Sequence, residues 1–137
     1  METKKREIMM EMKKERDRDF IKAVEREMRN PHLRGRGMRE IVKAAANGPA
    51  PSYYLTYDRV MKMLPGRESE AVPVGARSAR GAMWREIHRR VLRRMRRSGV
   101  RRSDAVSMVL AEGNASSFFL TESSAWVLYH RLLRKAS

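Results

Sequence analysis

The chain contains no cysteine, which excludes disulfide staples and thiolate metal sites. No apolar run approaches the roughly 18 residues of a membrane span, so no membrane partner is expected. Met1-Glu2-Thr3-Lys4-Lys5 leads into mixed charge and not into the apolar core of a secretion signal. The expected location is cytoplasmic. Aromatic residues make up only 7% of the chain, little material for the stacking platforms that hold single-stranded nucleic acid. His32, His88 and His130 are scattered, with no spacing that would put two of them on one helix face around a metal. No acids share an apolar setting, and there is no glycine-rich phosphate loop. Tyr53-Tyr54 has no histidine cluster to make it a strand-nicking site. No enzyme activity, metal, cofactor or small-molecule substrate is therefore expected.

Acidic residues are also scarce. There are 16 Asp and Glu against 31 Lys and Arg, giving a net charge of +15 over 137 residues. The surplus is uneven: +6 over residues 1–64, +1 over 65–81 and +8 over 82–137, where 11 of 12 cations are Arg. Arg offers a planar fork that fits phosphate oxygens and guanine edges. A pI near 11.1 suits a nucleic-acid binder.

Ser52-Tyr53-Tyr54-Leu55-Thr56 recurs 65 residues later as Ser117-Phe118-Phe119-Leu120-Thr121. At the same offset Ile41, Ala44, Ala46 and Gly48 fall on Val106, Val109, Ala111 and Gly113. Further back the offset becomes 67, and Phe20, Val24 and Met28 fall on Ile87, Val91 and Met95, each triplet stepping by four as one helix face does. The pattern predicts an all-α protein of two tandem three-helix units related by internal duplication. The expected layout is a charged lead-in over 1–16, a first repeat over 17–64, a linker over 65–81 and a second, Arg-rich repeat over 82–137. Ser103, Thr56 and Thr121 are the expected helix N-caps. The two aromatic segments either pair as a short two-stranded ribbon or pack separately into the two cores.

The strongest local signal is the stretch from Trp84 to Arg97. On a helical wheel Ile87, His88, Val91, Leu92 and Met95 fall on the side of Trp84. Arg85, Arg89, Arg90, Arg93, Arg94, Arg96 and Arg97 cover the other side, interrupted only by Glu86, and Arg101 and Arg102 follow. Such like charges repel at i, i+4 spacing, and a polyanion relieves that repulsion. Arg34, Arg36 and Arg39 form a second cluster around two glycines, at the start of a helix whose free N–H groups suit phosphate.

The order helix, helix, turn, helix with a capped third element resembles a helix-turn-helix unit, present twice, although the turns are roughly twice the usual length. The resemblance implies groove-facing positions at Tyr57, Arg59 and Lys62, and at Ser123, Ser124, His130 and Arg131. The Gly, Ser-aromatic-aromatic-Leu-Thr pattern also resembles small proteins of bacterial mobile elements or phage, a likeness that implies no activity. The expected partner is double-stranded DNA, with RNA or an acidic protein as alternatives. Homodimerisation stays open.

Overall fold

The computed structural model describes residues 2–65 and 78–136. Among these there are six helices: α1 (Glu2–Met28), α2 (Met38–Asn47), α3 (Tyr57–Met63), α4 (Ala79–Ser98), α5 (Arg102–Glu112) and α6 (Glu122–Ala136). A short 3-10 turn, Pro31–Leu33, follows α1. The protein is all-α. No helix among the described residues is long and apolar enough to cross a membrane.

The expected lead-in is helical. It continues into the Phe20 helix without a break, making α1 27 residues long, or about 40 Å at 1.5 Å per residue. Nothing interrupts it: there is no Pro or Gly before Pro31, and Lys14 and Glu11 pair at i, i+3. Most of the expected linker, residues 66–77, lies outside the described residues. Its last residues, from Ala79, instead open α4, capped by the Ser78 hydroxyl on Gly81 N–H at 2.9 Å. Gly99 ends α4 in the left-handed region at φ 63°. Ser103 does not cap α5. That helix starts one residue before it, behind Arg101.

The chain forms two compact units that do not follow its order. Unit 1 is residues 1–54 with 114–137, and unit 2 is residues 55–113. In unit 1, α2 packs on α1 and on α6. Its buried side chains include Phe20, Ala23 and Val24 of α1, Ile41, Val42, Ala45 and Ala46 of α2, and Ala125 and Leu128 of α6. In unit 2, α5 packs on α4 and on α3. The buried set there is Val60 and Leu64, Met83, Trp84, Ile87 and Val91, and Ala105, Val106 and Val109. Each unit therefore takes its third helix from the other half of the chain.

Ile41, Val42 and Ala45 of α2 and Ala105, Val106 and Val109 of α5 are buried at the same steps, one residue short of the offset between the two aromatic segments. The difference is absorbed at the helix ends, where Gly48 N–H reaches Ala45 O but Gly113 N–H reaches back to Val109 O. Gly48 sits in a tight spot: a Cβ there would lie 3.1 Å from an Arg26 guanidinium nitrogen and 3.2 Å from Ala44 O.

No ribbon forms. Among the described residues there is no strand, only an isolated antiparallel bridge at Ala50 and Ala115. Ala50 N–H donates to Ala115 O and Asn114 N–H to Pro51 O, both at 3.0 Å. Pro49 and Pro51 have no N–H to extend a ladder, and Tyr54 and Phe119 stand in the left-handed region at φ 58° and 54°, which ends extended geometry. The alternative of separate packing fails as well, because the rings stack across the two segments. Tyr53 lies on Phe119 and Tyr54 on Phe118, each pair with centroids 6.3 Å apart. The segments share one local geometry. Ser52 Oγ accepts from Tyr54 N–H at 2.9 Å, and Ser117 Oγ from Phe119 N–H at 2.8 Å. Thr56 and Thr121 accept from the N–H groups of Arg59 and Ser124.

Candidate nucleic-acid interface

In unit 2, Trp84, Ile87 and Val91 are buried, which fixes the rotation of α4 and turns its arginines outward. Arg89, Arg93, Arg96 and Arg97 are exposed and Arg85 is half-buried. Spaced by three or four residues, they make a stripe of about 18 Å from Arg85 to Arg97 at 1.5 Å per residue. A groove of about 310 Å³ lies beside the stripe, lined by Arg90, Arg93, Arg94, Arg97, Val109 and Glu112. Four guanidiniums thus surround a single carboxylate.

That carboxylate sorts the arginines into two kinds. Glu112 takes Arg90 at 3.1 Å and also pairs with Arg94. Arg90 donates a second bond to Gly113 O at 2.6 Å. These two side chains therefore hold the end of α5, satisfying a terminal carbonyl that the helix cannot. Arg102 is structural in the same way, donating to Met61 O at 3.2 Å and Leu64 O at 2.9 Å at the end of α3. Arg101 is exposed and faces Asp104 at 3.8 Å. Arg59 and Lys62 are exposed on α3.

The remaining expected contacts fall in unit 1. Arg34 and Arg36 are exposed on the loop around Gly35, itself at φ 84°. Arg39 pairs with Glu122 at 3.3 Å and lies over the Trp126 ring at 5.4 Å. His130 approaches the same ring edge-on at 4.3 Å. Arg131 is half-buried in a groove on α6, beside Arg16 of α1. Sequence reasoning passed over Arg16, although it stands one turn before Phe20 on the buried face of α1, where a cation is unusual. No group of three or more metal-ligating side chains exists among the described residues.

Comparison with known proteins gives no match to a protein-family model, to a curated protein or to a solved structure.

Proposed function

We propose that the chain is a non-catalytic nucleic-acid-binding protein that takes double-stranded DNA and contacts its phosphates through α4. The observation that carries this is the exposed stripe of Arg89, Arg93, Arg96 and Arg97, next to a groove whose one carboxylate is already engaged by Arg90 and Arg94. Solvated helix faces mix their charges, whereas on this face Glu86 is the single acid of α4 among its arginines. Duplex DNA carries one charge per roughly 1.7 Å of axis, so an 18 Å stripe meets several phosphates at once. Double-stranded RNA and an acidic protein are the competing partners.

Internal duplication belongs to the same proposal. The repeated Ser-aromatic-aromatic-Leu-Thr segments, with matching turns and caps, support it. The helix-turn-helix likeness then takes an altered form, with α2 followed in space by α6 and α5 by α3.

The test separates the two kinds of arginine. Fluorescence anisotropy of labelled duplex DNA, titrated at several salt concentrations, should give a log–log slope of roughly −3 to −5, for about four neutralised phosphates. Replacing Arg89, Arg93 and Arg97 together with Glu should abolish binding and leave the helical circular dichroism unchanged. Retained binding in that folded variant sinks the proposal. Stronger competition by duplex RNA or by an acidic peptide would replace DNA as the partner.

A further inference from the structure

A second cationic feature lies in unit 1, and α4 has no part in it. A groove of about 360 Å³ is lined by Arg16, Leu120, Ser123, Ser124, Val127 and Arg131. Arg131 is half-buried, and its Nε is fully shielded from solvent with no hydrogen-bond partner in the protein. No carboxylate lines the groove. The one nearby acid that is engaged, Asp17, is held by Arg16 through Nε at 3.3 Å and Nη2 at 3.0 Å. That bond leaves Nη1 of Arg16 as a donor.

The hydroxyls point to the same conclusion. Thr121 Oγ1 donates to Ser124 Oγ at 2.8 Å, so the Ser124 proton remains available to donate elsewhere. Ser123 is exposed beside it. The groove thus presents two guanidiniums, of which Arg16 has a carboxylate partner in Asp17 and Arg131 has none among the described residues, and two hydroxyl donors. A partly buried cation that lacks both water on one side and an ion-pair partner is costly, and an anionic ligand removes the cost. Arg forks bind phosphate through paired N–H groups. Leu120 and Val127 give one wall an apolar character, which suits the carbon part of an ester.

We infer that this groove binds a phosphate group. The group is either a backbone phosphate of a nucleic acid or the phosphate of a free ester, and the same donors recognise both. The inference does not depend on α4.

Two measurements test it, on the wild-type chain and on Arg131→Gln and Ser123→Asp variants. Ser123→Asp places a carboxylate inside the groove, in the first turn of α6 where negative charge is favourable, so it keeps the test open if Arg131→Gln does not fold. The first measurement is the melting temperature in inorganic phosphate against chloride at matched ionic strength. The wild type should be stabilised specifically by phosphate. Both variants should lose that shift, with affinity for inorganic phosphate falling roughly tenfold or more, as expected for a lost charged hydrogen bond. The variant with Glu at 89, 93 and 97 should keep the shift, which distinguishes failure of this site from failure of α4. The second measurement is the salt slope of duplex binding. A decrease of about 0.9 in its magnitude in the variants assigns the site to a backbone phosphate, whereas an unchanged slope with a lost phosphate shift assigns it to a free ester. A phosphate shift that persists in both variants overturns the inference. So does the absence of any shift in the wild type combined with unchanged slopes.

Discussion

Tyr54 shows how much a single residue can be asked to satisfy. Its backbone is left-handed, at φ 58°, a conformation that costs an aromatic residue roughly 1–2 kcal/mol. Three contacts hold it there: its N–H on Ser52 Oγ, its ring on Phe118, and its hydroxyl donating to Asp19 Oδ2 at 2.7 Å. Burial, and after it the Asp19 carboxylate, push the phenol well above its ordinary value. A raised folded value means that the contribution is complete below the unfolded value near 10 and is lost as pH climbs beyond it. Tyr54→Phe should therefore destabilise the protein at neutral pH by roughly 1–2 kcal/mol, by leaving Asp19 without its donor. The gap between variant and wild type should narrow in denaturant titrations above about pH 10. A constant gap across that range would show that the hydroxyl contributes nothing. The same residue scale separates the arginines. Arg102→Met should cost about 1–2 kcal/mol, through the two lost bonds to Met61 O and Leu64 O. Measured on folded protein, it should change duplex affinity far less than the α4 substitutions.

Among the elements, helix ends carry much of the specification. Thr56 and Thr121 each accept from the N–H three residues on, and replacing either with Ala should cost about 1 kcal/mol. Hydrogen exchange should locate the loss differently, in unit 2 for Thr56→Ala and in unit 1 for Thr121→Ala. These caps were readable in the sequence, as was the buried face of α4, because each rests on residues a few positions apart. The Ser103 cap failed since Arg102, drawn to the carbonyls of α3, already lies inside the helix. The charged lead-in left open whether it extends the first helix or frays; with no breaker before Pro31 it extends it. Wheel position showed which arginines face outward, but not that Glu112 holds Arg90 and Arg94, some 20 residues away in sequence. Arg39 was likewise grouped with Arg34 and Arg36 by proximity in the chain, whereas its partners Glu122 and Trp126 lie on α6.

For the whole molecule, a recurring sequence pattern was visible, but not the exchange by which each unit takes a helix from the other half of the chain. Local periodicity says that a helix has an apolar face, not which neighbour receives it. The exchange makes a sharp prediction. Deleting residues 122–137 should unfold unit 1, which loses Ala125 and Leu128, while unit 2 keeps its protected amides in hydrogen exchange. Cooperative loss of both units would contradict the division of the chain.

The exchange also sets a timetable. Unit 2 is one continuous stretch, Leu55–Gly113, and its pieces are all in hand before the Asn114–Ser137 part of unit 1 is made. Unit 1 must close across much longer gaps, such as the 83 residues between Arg39 and Glu122. Closures of that span are slow to find. On a ribosome adding roughly 5–20 residues per second, α1 and α2 wait several seconds with Phe20, Val24 and Val42 uncovered. α1 and α2 would then stay open to aggregation, and to a chaperone, after unit 2 has closed.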